Sequence, residues 1–322
     1  MKSQMLQKKY LIIFFKAKLC LLACIAFSGF SLAGESIIDQ DHKLPKDYEA
    51  QWERLVSDVE PKLLGGGGSI DPHLEILKQS QYPSAALCGR CHQQIFSEWS
   101  SSNHAYASIS PMFHKFEQAV NALTSGTMGS FCVRCHQTVG TQIGEPRESP
   151  LWERSLVARE GVTCITCHRV NQSFFKVNGE RHVNPGSIYE PVYNTGDAPG
   201  VAEVIAERDF YKISTSPEEE GFPIHAGAKV FETIGQSEFC VSCHQVAVNI
   251  GIKLEVVWEQ YRDSPAHAKG VTCQACHMGK IPGEAKGYDT GPVAIVNGRV
   301  VGDVNRKHSN HAFYGPGYPI AH

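Results

Sequence analysis

Ten of the chain's 12 cysteines fall into five copies of one pattern, Cys-x-x-Cys-His: Cys88–His92, Cys132–His136, Cys164–His168, Cys240–His244 and Cys273–His277. A chain of 322 residues with 12 cysteines and 15 histidines does not produce five such copies by chance. The pattern is the attachment site of c-type haem. Cys88, Cys91, Cys132, Cys135, Cys164, Cys167, Cys240, Cys243, Cys273 and Cys276 would form thioethers with the haem vinyl groups, and His92, His136, His168, His244 and His277 would become axial iron ligands. Three residues of separation put the two sulfurs about one helical turn apart, and the next residue brings its imidazole under the ring that the sulfurs hold. The expected cofactor load is five c-type haems with their iron.

Competing chemistries fit less well. A zinc ribbon pairs one Cys-x-x-Cys with another, whereas the number of motifs here is odd and every copy carries its histidine. Thioredoxin-like pairs occur singly, and a disulfide framework has no need of a histidine after each second cysteine.

Residues 1–33 read as a secretory signal peptide. Lys2, Lys8, Lys9, Lys16 and Lys18 precede the apolar stretch "LCLLACIAFSGF", and Ser31-Leu32-Ala33 supplies small residues for cleavage after Ala33. The uninterrupted apolar run is short of the roughly 20 residues of a membrane span, and "LLAC" only faintly matches a lipoprotein site. Cys20 and Cys24 leave with the signal, so every cysteine of the mature chain belongs to a motif. An exported protein, periplasmic or at the cell surface, is expected. Losing those five lysines and no acid takes the formal charge from −3 to −8, which argues against nucleic acid and suits docking with basic redox proteins.

Residues 34–64 are charged and periodic, as in a helix, and "GGGGS" at 65–69 is a flexible linker to a five-motif domain over 71–322. Inside that domain, "FCVRCHQ" and "GVTCITCH" (131–168) repeat as "FCVSCHQ" and "GVTCQACH" (239–277), with the paired cysteines 32 and 33 residues apart. The expected fold is mainly α and coil with a haem-dominated core and little regular sheet. Short helices are expected near 93–107 and 252–268, and Gly/Pro-rich coil at 184–200 and 279–292.

A low-spin haem needs a second axial ligand. Met112, Met128 and Met278 are the only methionines after the signal, whereas ten histidines lie outside the motifs: His42, His73, His104, His114, His182, His225, His267, His308, His311 and His322. Five bis-histidine haems are therefore possible on numbers.

The runs "CGRCHQQIFSEWSSSNHA" (88–105), "SEFCVSCHQVAVNIGIKLEVVWEQYRDSPAHAKGVTCQACHMG" (237–279) and "RKHSNHAFYG" (306–315) resemble secreted multihaem c-type cytochromes. The nearest type is the tetrahaem cytochrome that accepts electrons from hydroxylamine oxidoreductase. By matching position the resemblance implies His104 and His267 as distal ligands, with His225 and either His308 or His311 as further ones. One departure stands out: aligning the repeats on "GVTC" puts Ala158 where His267 lies, so His104, His114 or His182 must substitute, or one haem stays open.

Electron transfer through closely spaced haems is the leading expectation, with redox proteins as donor and acceptor. An oxidoreductase acting on a small nitrogen or oxyanion substrate at one open haem is the rival. No motif replaces its histidine by lysine, the mark of pentahaem nitrite reductases. A subunit of a haem-lined filament is a third expectation, in which self-association lets His73 or His322 reach a neighbour's haem.

Overall fold

Serine and threonine punctuate the chain, and the helices they start are short. The computed structural model describes residues 81–147, 149–172, 177–179, 181–247 and 253–315, all within the unit Leu63–His322. The expected signal at 1–33, the expected helix at 34–64, the glycine linker and His42, His73 and His322 lie outside the described residues.

Among the described residues the helices are α1 (Ala85–Gly89), α2 (Gln93–Ser100), α3 (Asn103–Tyr106), α4 (Pro111–Leu123), α5 (Val133–His136), α6 (Thr138–Gln142), α7 (Leu156–Arg159), α8 (Cys164–His168), α9 (Pro199–Ala206), α10 (Arg208–Tyr211), α11 (Val241–His244), α12 (Val257–Arg262), α13 (Pro265–Ala268) and α14 (Cys273–His277). Side-chain caps explain many starts: the Ser84, Ser102, Ser110, Ser155 and Ser264 hydroxyls and that of Thr272 each accept a backbone N–H of the first turn. The longest helix, α4, combines the Ser110 cap with Pro111 at its first position.

Among the described residues, one isolated bridge links Ile281 and Glu284, and strand otherwise occurs as two-stranded pairs. These join β1 (Val192–Asn194) to β4 (Ala228–Val230), β2 (Ile213–Ser214) to β3 (Phe222–Pro223), β5 (Val246–Ala247) to β6 (Lys253–Glu255), β7 (Asp289–Thr290) to β10 (Lys307–His308) and β8 (Ala294–Val296) to β9 (Arg299–Val301). The expected helix near 252–268 therefore begins late. Residues 253–255 are instead extended and pair antiparallel with β5, placing Glu255 opposite Val246, two residues past the fourth motif. Lys-Leu-Glu is neutral between helix and strand, and the neighbouring β5 decides.

Among the described residues, buried apolar side chains gather in two small clusters. One gathers Val204, Tyr211, Ile213, Ile224, Ala294, Val296 and Val301, the other Val139, Val157, Ile165, Val170 and Val183. The motif cysteines are half-buried, and of the ten Cys91 packs against the first cluster. A polypeptide that buries so little of its own apolar surface suits a fold in which porphyrins supply much of the core.

The repeat is visible in backbone detail. Ser155 caps α7 through the Ala158 amide, and Ser264 caps α13 through the His267 amide. Gly161 and Gly270 follow, both at φ +68°, a conformation that costs any other residue about 1–2 kcal/mol. Helices α8 and α14, carrying the third and fifth motifs, begin just beyond. An aromatic donor closes each loop: Trp99 Nε1 on the Val162 carbonyl at 2.8 Å and the Tyr261 hydroxyl on that of Val271 at 2.9 Å.

Candidate haem-binding site

Each motif spans about one helical turn, so its two sulfurs lie on one side and its histidine follows. The five histidines also share a hydrogen-bonding pattern. Nδ1 donates to the Val293 carbonyl from His92 (2.7 Å), to Ala107 from His136 (3.1 Å), to Tyr193 from His168 (2.8 Å) and to Tyr314 from His277. His244 differs: its Nδ1 meets the Glu255 carboxylate at 3.0 Å. With Nδ1 engaged, the lone pair sits on Nε2, the atom that an iron would take. Among the described residues, none of these five Nε2 atoms carries a hydrogen bond.

Three motif histidines face a second histidine from a distant segment. His92 and His225 are stacked at 6.4 Å between centroids with planes 8° apart, His168 and His311 at 6.2 Å and 27°, and His244 and His104 at 6.1 Å and 50°. Two imidazoles sharing one metal place their nitrogens roughly 4 Å apart, about 2 Å on each side, and their centroids about 2 Å further. All three separations match that span. Two of the partners repeat the tautomer logic, since Nδ1 of His225 donates to Gly227 O at 2.9 Å and Nδ1 of His311 to Ser309 O at 2.7 Å.

Burial keeps the partner rings neutral. It pulls His104 down to about 3, with His244 adding to the effect, and His225 and His311 down to about 4, helped by His92 and His168 respectively. His92, His136 and His168 are lowered by burial too, whereas the hydrogen bond to Glu255 raises His244. Neutral imidazole is the form that binds a metal. The residues present therefore fit bis-histidine haem at the first, third and fourth motifs.

The remaining candidates are placed otherwise. His136 stacks on the Phe113 ring at 4.0 Å and 7°, a direct contact with no room for a metal between the rings. His114, beside it, donates from Nε2 to the Ser108 carbonyl at 2.6 Å. His277 is exposed and tied to Tyr314 at both its side chain and its carbonyl. His267 is exposed on α13 with its ring edge-on to Tyr261 at 5.2 Å, and His182 is exposed. His308 is buried, with Nε2 on the Glu98 carboxylate at 2.7 Å. Of the two tail histidines, His311 faces a motif and His308 braces the tail. Ala158, at the repeat position of His267, is fully buried against Gly140.

The motifs lie near one another in pairs. Cys88 and Cys164, Cys135 and Cys243, and Cys240 and Cys273 lie close enough to shift each other's ionisation. Glu160, buried, joins the first and third motifs by accepting from Ala85 N at 2.9 Å and Thr163 Oγ1 at 3.0 Å. Arg181 joins the third and fourth. It donates to the Thr166 carbonyl at 3.3 Å and the Ser242 hydroxyl at 3.2 Å, with its guanidinium 4.2 Å above the Phe239 ring.

Residues 87–169 match the family described as cytochrome c554 and c-prime. That stretch holds the first three motifs and His104, and the match supports a multihaem c-type cytochrome with haem iron as cofactor. Among solved structures, a penta-heme cytochrome c552 from Thermochromatium tepidum is similar, with 19% identity and a TM-score of 0.46. The alignment covers 72% of this chain and 57% of that one, so this chain spans less than two thirds of that structure's length. No curated protein matches the chain.

Three residues that the motifs do not announce complete the cytochrome-like site: Glu98, Arg181 and Glu255. Glu98 binds the tail twice, taking His308 Nε2 on one oxygen and the His311 amide at 2.9 Å on the other. Burial opposes its ionisation, but these hydrogen bonds outweigh it and hold the carboxyl below its ordinary range. The only sequence signal was a charged residue in each case, which surface helices and hairpins carry routinely.

Proposed function

We propose that this chain is an exported electron carrier that passes single electrons along five covalently attached c-type haems, three of them held between histidine pairs. The observation that carries the reading is the set of three facing histidine pairs, each about 6.2 Å across, with the motif Nδ1 atoms already bonded. Haem supplies reversible one-electron iron chemistry when bound. The polypeptide fixes the tautomer of each ligand and holds both imidazoles in place, so little rearranges when an electron arrives.

The proximity of their cysteines suggests an order. The first motif adjoins the third through Cys88 and Cys164, and Arg181 spans the third and fourth. The fourth meets the second through Cys243 and Cys135 and the fifth through Cys240 and Cys273. The fourth motif is then a junction. Electrons would enter or leave at the exposed fifth motif and at the first, with separate redox proteins as donor and acceptor. Export follows from the signal at 1–33 and from haem attachment outside the cytoplasm.

The test is a mass and a spectrum. The mature protein should weigh five haems more than the chain from Gly34 and keep peroxidase staining on denaturing gels. Its EPR spectrum should hold three low-spin ferric signals that respond to substitution of His225, His311 or His104. Four haems or fewer, or no response to those substitutions, would overturn the reading.

One observation favours a second reading, an oxidoreductase for a small nitrogen or oxyanion substrate. Among the described residues, neither His136 nor His277 faces a second histidine. A high-spin ferric signal that disappears when nitric oxide is added would favour it.

A further inference from the structure

The fourth motif is the one whose histidine is bonded to a carboxylate. Four motif imidazoles donate Nδ1 to main-chain carbonyls, and His244 donates to Glu255 Oε1 at 3.0 Å. The contact is built by the fold. The chain leaves the motif as β5, returns as β6 and ends that strand at Glu255, opposite Val246. The nearby lysine does not neutralise the carboxylate, because Lys253 Nζ is engaged with Glu259 at 2.6 Å.

A carbonyl dipole and a full negative charge act differently on a ligand. A carboxylate draws the Nδ1 proton towards itself and leaves more negative charge on Nε2, which makes the imidazole a stronger donor to a metal. A stronger donor and a nearby negative charge both favour Fe(III) over Fe(II), whose net charge is one unit lower. Arg181 works in the opposite direction, but its guanidinium bridges the third and fourth motifs and so acts on both.

We infer that Glu255 is a positioning residue that sets the potential of the haem on His244, holding that site more reducing than a carbonyl partner would. This rests on the electron-carrier reading, and it gives the junction of the chain a distinct redox level. An electron then resides at the flanking sites and crosses the junction in transit.

The experiment compares Glu255→Gln with wild-type holoprotein in an EPR-monitored redox titration. Glutamine keeps an amide oxygen for His244 Nδ1 and removes the charge, matching the carbonyl-bonded motifs. The reduction equilibrium of one haem in five should shift about tenfold towards the ferrous form, roughly 59 mV for a one-electron couple, with its low-spin signal retained. Asp263→Asn, which removes an equal charge just past the end of α12 without touching a ligand or releasing Lys253 from Glu259, is the control and should leave all five midpoints in place. Unchanged midpoints in Glu255→Gln, or equal shifts in both variants, would overturn the inference. Failure of the underlying reading looks different: His244→Ala in the wild-type background would then leave every low-spin signal intact.

Discussion

The His168 and His311 rings stand 6.2 Å apart and 27° from parallel, one in the third motif and the other in the tail. His311 is kept there by its own amide, which donates to Glu98, and by Nδ1, which donates to Ser309. His311→Ala should convert one haem from low-spin to high-spin and leave the other low-spin signals unchanged. His267→Ala, whose ring meets Tyr261 at the surface, should change none of the three paired signals. An EPR spectrum of each variant checks both statements.

Glu98 is mostly buried with His308, whose side chain is 3% exposed. Glu98→Ala leaves the buried His308 ring and the His311 amide without their hydrogen-bond acceptor, so a loss of about 2–3 kcal/mol is expected. Guanidinium unfolding would measure it. The His311 low-spin signal should weaken in the same variant, since the tail loses its clamp.

The matched glycines should respond unequally. Gly270→Ala meets open space and only the strain of φ +68°, about 1 kcal/mol. Gly161→Ala has the same φ, and its new methyl would run into the His104 and Ala105 carbonyls, so about 3 kcal/mol is expected. Only Gly161→Ala should also disturb the haem on His244, by moving His104. Thermal melts and the EPR signal of that haem separate the two cases.

Acid should weaken the fold in a defined window. His104, His225 and His311 are held far below the usual histidine value, to about 3, 4 and 4, so the unfolded chain takes up protons that the folded one refuses. Their contribution is complete above about pH 6.5 and is lost as pH falls below it, and iron held by the same nitrogens would act in the same direction. Denaturation midpoints measured from pH 8 to 4 should be flat in the upper part and drop in the lower. A rise in stability on acidification would contradict the burial of these rings.

The sequence carried the motifs in full because covalent attachment needs two sulfurs and an imidazole within five consecutive residues. The repeat was legible as well, and the structure gives it backbone form: Ser155 and Ser264 cap equivalent helices, and Gly161 and Gly270 share one φ. Partnership between distant histidines was not, because it depends on which segments pack together. His104 stands opposite His244, in the second repeat, and the repeat position that carries His267 holds a buried alanine in the first. Glu255 was hidden for a similar reason. Within "IKLEVVWEQYR" it reads as one polar residue of an amphipathic stretch, and only the β5–β6 turn-back brings it to His244.

The three histidine pairs interlock along the chain. His92, His104 and His168 all precede His225, His244 and His311, so each pair straddles the others in sequence order. No amino-terminal fragment ending before residue 225 can close even one of them. A chain threaded across a membrane from its amino end would therefore present half-finished sites until its last third emerged, and the final pair would wait for residue 311. Synthesis is vectorial but closure is late: on the proposed reading, a premature stop anywhere before residue 311 would leave at least one haem without its second histidine.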